Sequence, residues 1–247
     1  MHKTASIRLS IIQKRIMIDY DPVLVMKLQT LAVPAVDSII FDLDGTLWDS
    51  TSVVADAWNE VLARCPETDC QVTADSLKKL FGRPLYEIAD LMIPEVSEKR
   101  RHEIIDECCE AEHIALTKTP GTLYPELEAT LKRLSERYPL FIVSNCQAGY
   151  IEMFLEVTGL GRYFKDFECP GNSGLVKGPN NRLVMERNQL KSPIYVGDTQ
   201  GDKNAAEYAG ILFCHAAYGF GEVDSYDYAI EQFSDLRTLL LTEPAAL

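Results

Sequence analysis

The chain is short of positive charge: 24 lysine and arginine residues stand against 37 aspartate and glutamate residues, for a formal net charge of -13 over 247 residues. Nucleic acid or an anionic membrane surface would need a Lys/Arg patch that this balance does not supply, so neither is expected as a partner. A small anionic substrate needs only one local positive site and stays open. No apolar run reaches bilayer length, and Lys14 and Arg15 interrupt Ile7 to Ile18, the one stretch resembling a signal-peptide core. CxxC pairs are missing among the seven cysteines, an odd number that suggests no disulfide framework. Several cysteines fall in apolar stretches as small core residues, and a reducing cytosol is the expected compartment. Neither GxxxxGK[ST] nor a strand-linked GxGxxG occurs, which removes the strongest signals for nucleotide kinases and dehydrogenases.

What is present is organised around Ser38 to Trp48, Ser-Ile-Ile-Phe-Asp-Leu-Asp-Gly-Thr-Leu-Trp. The apolar run reads as a buried strand with Asp42 and Asp44 at its end, followed by Gly45, which lets the chain turn sharply. Residues two apart on an extended chain point the same way, so both carboxylates can face one reacting centre. Like charges this close are tolerable only with a cation between them or with different protonation states.

Before this stretch, residues 1–34 read as an N-terminal extension with five basic residues (Lys3, Arg8, Lys14, Arg15 and Lys27) against two acids, Asp19 and Asp21. After it, Ser50 or Thr51 can cap a helix to about Arg64. Further helices are expected from near Thr73, from Pro84 to Met92, and from a Ser97 cap with Ile104, Ile105, Cys108, Ala111 and Ala115 on one face. No strand pattern appears from Asp49 to Lys118, which is far too long for an ordinary crossover loop. Residues 51–118 therefore read as an inserted α-helical cap domain, with residues 35–50 and 119–247 forming the core.

Beyond Pro120-Gly121, helix and strand alternate. The spacing predicts strands at Leu140–Val143, Phe167–Cys169, Pro193–Val196 and Ile211–Cys214. Helices are expected at Glu126–Arg137, Gln147–Thr158 and Asn180–Leu190, then to Ala209 and from about Ser234, with Lys177 in a glycine-rich loop, Pro170 to Pro179. Such alternation implies an α/β, Rossmann-like parallel sheet with its ligand at the carboxyl ends of the strands. Asp42, Asp44, Ser144, Asn145 and Asp198 all follow the last apolar residue of predicted strands, and Lys177 can reach the same edge. Three carboxylates with one lysine would not gather without a cation, and oxygen-only ligands point to a hard one, magnesium being usual in phosphate chemistry.

Asp42-Leu-Asp44-Gly-Thr46, the strand ending at Ser144, Lys177, and Gly-Asp198-xxx-Asp202 resemble the four motifs of the haloacid dehalogenase-like hydrolase superfamily, in order, over residues 36–230. The resemblance implies Asp42 as nucleophile, forming an aspartyl-phosphate, and Asp44 as general acid and base. It implies magnesium held by Asp42, Asp198 and the Asp44 carbonyl, and phosphate bound by Ser144, the Asn145 amide and Lys177. Thr46 and Asp202 would be supporting residues. Dehalogenases of the superfamily lack the second aspartate, so Asp44 favours phosphoryl transfer. The helical insertion resembles the cap of the phosphoglycolate phosphatase-like and β-phosphoglucomutase-like members. The mutases carry a histidine where this chain has Val54, and tend to show Glu-Asp where it has Gly197-Asp198, so a phosphatase is favoured. Arg83 is a candidate cap residue for substrate contact. The expected activity is magnesium-dependent hydrolysis of a small phosphorylated metabolite, of phosphoglycolate or sugar-phosphate type, by a monomer or weak homodimer. A phosphosugar mutase is the alternative enzyme, and a non-catalytic phosphometabolite-binding protein the alternative of another class.

Overall fold

The computed structural model describes residues 35–241. The basic extension expected over residues 1–34 lies outside the described residues.

In chain order the elements begin with β1 (Ser38–Phe41), β2 (Trp48–Asp49), α1 (Thr51–Leu62), α2 (Ala74–Lys78), α3 (Leu85–Met92) and α4 (Glu98–Lys118). Next come β3 (Thr122–Leu123), α5 (Leu127–Ser135), β4 (Leu140–Val143), α6 (Tyr150–Thr158), a 3-10 turn (Leu160–Tyr163), β5 (Phe164–Glu168) and the short α7 (Pro170–Ser173). The chain continues with α8 (Lys177–Asn188), β6 (Pro193–Gly197), α9 (Gln200–Ala209), β7 (Leu212–Ala216), β8 (Tyr228–Ile230) and α10 (Asp235–Leu241).

Six strands form one parallel sheet in the order β5-β4-β1-β6-β7-β8. β1 is central because its residues are apolar on both faces: Ile39, Ile40 and Phe41 are wholly buried, as a parallel strand covered by helices must be. The chain fills one side of β1 with β4 and β5 and then crosses to the other side with β6. This reversal opens a crevice at the carboxyl ends of β1, β4 and β6, where ligands bind in sheets of this kind.

A two-stranded antiparallel ribbon pairs Trp48 with Leu123 and Asp49 with Thr122. It fastens together the two points where the helices α1 to α4 leave and rejoin the core. Trp58 on α1, Leu77 on α2, Ile88 on α3 and Ile104 on α4 share one buried apolar cluster with Ile39 of β1 and Leu131 of α5, so the insertion is packed onto the core.

Several boundaries differ from the sequence expectation, each for a local reason. The hydroxyl of Ser50 does not cap α1; it donates to Asp44, while Asp49 Oδ1 accepts from the Thr51 amide at 3.0 Å. α6 starts at Tyr150 instead of Gln147, after Gly149 in the left-handed region. Lys177 lies not in a loop but at the first position of α8, and the preceding Pro170–Ser173 is already helical. On α4 the buried face runs through Ile105, Cys108, Glu112 and Leu116, one residue away from the expected Ala111 and Ala115. β8 completes the sheet beyond the strands expected from the sequence.

Candidate active site

The turn after β1 sets the geometry. Leu47 N donates to Leu43 O at 2.8 Å and Gly45 N to Trp48 O at 2.9 Å, which folds the chain back at once. Gly45 has φ +85, and a Cβ there would lie 2.2 Å from Asp198 Oδ2. Only glycine lets the first and last motifs come this close.

Asp42, 1% exposed, sits at the end of β1, and its amide continues the ladder by donating to Val196 O at 2.8 Å. Lys177, 2% exposed, reaches in from α8 and donates to Asp42 Oδ1 at 2.7 Å and Asp202 Oδ1 at 2.6 Å. Asp198 follows β6; its Oδ2 accepts from the Phe220 amide at 2.7 Å and its Oδ1 from Thr46 Oγ1 at 3.4 Å. Asp202 is otherwise engaged, since its Oδ2 accepts from the Thr199 amide at 2.9 Å and the Thr199 hydroxyl at 2.7 Å, closing the cap of α9. Asp202 thus orients Lys177 and the β6–α9 turn together.

Carboxylate oxygens of Asp42, Asp198 and Asp202 lie within 4.8 Å of one another, and all three residues are buried. Burial, followed by the charge of Asp202, pushes Asp42 up to about 7 against the opposing pull of Lys177. Burial and the neighbouring Asp202 and Asp42 push Asp198 well above the usual carboxylate range. One ammonium cannot neutralise three acids, so the donor set suits a hard divalent cation.

Asp44 stands apart from that cluster. Its Oδ1 accepts from Ser50 Oγ at 2.5 Å and Tyr150 OH at 3.0 Å, while Tyr150 OH also lies 3.1 Å from Ser50 Oγ. Burial pushes its carboxyl up to about 6, and the two hydroxyls hold it from rising further. The two aspartates of the first motif therefore face different partners, a lysine for one and two hydroxyls for the other.

Ser144, 5% exposed, and Asn145 follow β4 and line the cleft. The Asn145 side chain does something the sequence did not suggest: Nδ2 donates to Gly82 O of the insertion at 2.8 Å. Arg83 lines the outer cleft, but its side chain is 48% exposed and pairs with Glu87 one helical turn on. The cleft between insertion and strand ends encloses about 40 Å³.

Four residues around this cleft escape a motif reading. Ser50 and Tyr150 hold Asp44, and Tyr218 donates its hydroxyl to Thr46 O at 2.8 Å. Glu112, 4% exposed, accepts from Trp58 Nε1 and from Gln147 Nε2, each at 2.6 Å, and burial pushes its acid up to about 8. A signal for Glu112 does exist in the sequence: it is an acid on the apolar stripe of α4.

The chain is similar to known proteins in sequence and in fold. The family model for haloacid dehalogenase-like hydrolases matches residues 39–216. A phosphoglycolate phosphatase of Vibrio vulnificus is 30% identical over 197 residues, covering 74% of this chain and 84% of that protein. One from Aquifex aeolicus is 26% identical over 210 residues, covering 82% and 95%. Among solved structures, a predicted phosphatase from Clostridium acetobutylicum superposes with a TM-score of 0.73 at 24% identity, covering 83% of this chain and 98% of that one. The fold is shared as well by CbbY of Rhodobacter sphaeroides, solved with xylulose-(1,5)bisphosphate, at a TM-score of 0.71, 15% identity and coverage of 81% and 96%. The chain belongs to the haloacid dehalogenase-like hydrolase family, in its phosphoglycolate phosphatase-like group of enzymes.

Proposed function

We propose that the protein is a magnesium-dependent phosphatase that hydrolyses a small phosphate monoester through a covalent aspartyl-phosphate. The observation that carries this reading is the division between the two aspartates: Asp42 is held by Lys177 among the metal-type acids, while Asp44 is set apart with its carboxyl raised to about 6.

In the first half-reaction a carboxylate oxygen of Asp42 forms a bond to phosphorus as the bond to the leaving oxygen breaks. Lys177 fixes Asp42 Oδ1 and leaves the other oxygen for attack. Asp44 gives its proton to the departing oxygen, a task suited to a carboxyl titrating near 6. In the second half-reaction Asp44 takes a proton from water as the water oxygen bonds to phosphorus and the acyl phosphate breaks, releasing phosphate and restoring Asp42. Ser144 and the Asn145 amide hold the non-bridging oxygens, and Lys177 offsets their charge. Asp42, Asp198 and the Asp44 carbonyl would hold magnesium, which would supply the remaining positive charge.

Residues 51–118 act as a cap domain whose closure over strand ends excludes water. Arg83 flanks the entrance, where a substrate anion would compete with Glu87 for its guanidinium. Val54, wholly buried on α1, has no group to relay a proton, which supports hydrolysis over mutase chemistry. The seven cysteines are all free, in keeping with a reducing cytosol.

Purified protein with magnesium should release inorganic phosphate from at least one member of a panel of small phosphate monoesters, and chelation should abolish the release. Asp42→Asn should lower kcat to background while the circular dichroism spectrum is unchanged. Full activity in Asp42→Asn would sink the aspartyl-phosphate route.

A further inference from the structure

The leaving-group half of the cleft has an unusual polar inventory. Its walls are apolar: Trp58 on α1, Phe81 in the loop before α3, and Leu85 and Ile88 on α3. Its floor carries Glu112, Asn145 and Gln147.

Most of the donors there are already used. Trp58 Nε1 and Gln147 Nε2 each point to a Glu112 oxygen, and Asn145 Nδ2 is spent on Gly82 O. Arg83 is half-exposed and neutralised by Glu87.

The acceptors are not used up. Each Glu112 oxygen takes one hydrogen bond and keeps a lone pair. Asn145 Oδ1 is buried with no hydrogen-bond partner among the described residues. Rotating that amide by half a turn does not relieve it, because two carbonyl-type oxygens would then face each other at the Gly82 contact. A buried acceptor left without a donor is a cost that a bound group can remove.

We propose that Glu112 and Asn145 select the leaving group, so that the cleft takes phosphate monoesters carrying a hydroxyl or ammonium donor and disfavours those that end in a carboxylate. This deepens the phosphatase reading and rests on it. A hydroxyl or ammonium supplies hydrogens to Glu112 and Asn145 Oδ1 within walls that exclude water. A terminal carboxylate brings only acceptors and would meet Glu112 and Asn145 Oδ1 together. A protonated Glu112 offers a single hydrogen, and Asn145 Oδ1 still finds no donor. A site built to pair with a donor discriminates strongly against an analogue that lacks it.

The test compares kcat/KM for four monoesters with magnesium present: glycerol 3-phosphate, O-phosphoethanolamine, 2-phosphoglycolate, and p-nitrophenyl phosphate as a reference. Wild-type protein should prefer glycerol 3-phosphate or O-phosphoethanolamine over 2-phosphoglycolate by about ten-fold or more. Which of those two leads distinguishes the hydroxyl source from the ammonium source. Above pH 8, where the Glu112 carboxyl is ionised, Glu112→Gln should shrink the preference about ten-fold, because the new amide brings a donor. If Glu112 matters only for packing, all four substrates fall together and the ratio stays fixed, which overturns the assignment. The wild-type ranking needs no variant, so a poorly folding Glu112→Gln does not rescue the idea: turnover of p-nitrophenyl phosphate with 2-phosphoglycolate preferred overturns the inference alone. Failure on every substrate, p-nitrophenyl phosphate included, overturns the phosphatase reading with it.

Discussion

Asp44 shows how much one residue's behaviour depends on neighbours that no motif names. Desolvation alone would drive its carboxyl far up, and the hydroxyls of Ser50 and Tyr150 counter that by favouring the ionised form. A carboxyl needed in both protonation states works best when neither form is too stable. Hydrogen bonds to a charged group are worth roughly 1.5–3 kcal/mol. Ser50→Ala or Tyr150→Phe should therefore lower kcat about ten-fold and move the pH optimum upward, with KM for p-nitrophenyl phosphate within about three-fold of wild type. An unmoved pH profile in both variants would mean that the hydroxyls do not tune Asp44. Asp44→Asn, which removes the proposed proton carrier, should cost kcat about 10²-fold or more in the same steady-state assay.

At the scale of elements, the relation between the helical insertion and the strand ends turns on the loop before α3. Gly82 has φ +86, accepts a hydrogen bond from Asn145 Nδ2 at its carbonyl oxygen, and lies so near the β6–α9 turn that a Cβ would stand 2.9 Å from Thr199 Oγ1. The insertion therefore meets the core at two of its phosphate-edge loops through one glycine. Gly82→Ala strains the backbone and pushes against Thr199, so the closed arrangement should be disfavoured while the core of either part is untouched. The expected result is a drop of about ten-fold in kcat/KM with the melting temperature lowered by only a few degrees. Unchanged kinetics would show that this contact takes no part in turnover. Lys177 makes a related point. Read as a loop residue it had freedom to approach the site; at the first position of α8 it is aimed between Asp42 and Asp202 by the helix itself.

For the whole molecule, a buried acid at the join between insertion and core links stability to pH. Glu112 has an ordinary value of 4.5 and is pushed up to about 8 by burial in the folded protein. The folded state thus holds a proton that the unfolded chain has released between those values. By linkage its contribution is fully present below about 4.5 and is lost as pH rises to about 8, by up to about 1.4 kcal/mol per pH unit. Glu112→Gln removes the titration, so in urea unfolding the variant should gain on wild type steadily from pH 5 to 8 and run parallel above that. Curves parallel throughout would mean that Glu112 is already ionised in the folded protein at pH 5.

The sequence by itself determined the parallel α/β core, the run of helices after the first strand and the residues of the motif set, because these are written in local patterns. Apolar runs ended by polar residues mark strand ends, and in a parallel sheet strand ends converge. Ile39 to Phe41 and Leu140 to Val143 are legible for that reason, and so are Asp42, Ser144 and Asp198 beside them. What only the tertiary structure decided are contacts between residues far apart in the chain. Ser50 could be read as a helix cap until Asp44 appeared beside it, and Glu112 as one more acid on a charged helix until Trp58 and Gln147 closed on it. β8 and the β2–β3 ribbon are too short to announce themselves: β8 exists because the longer β7 pairs with it, and the ribbon because the two ends of the insertion come side by side. Burial and distance set which carboxyl pairs with a lysine, which with two hydroxyls and which with Trp58 and Gln147. Neither quantity is a property of a residue alone.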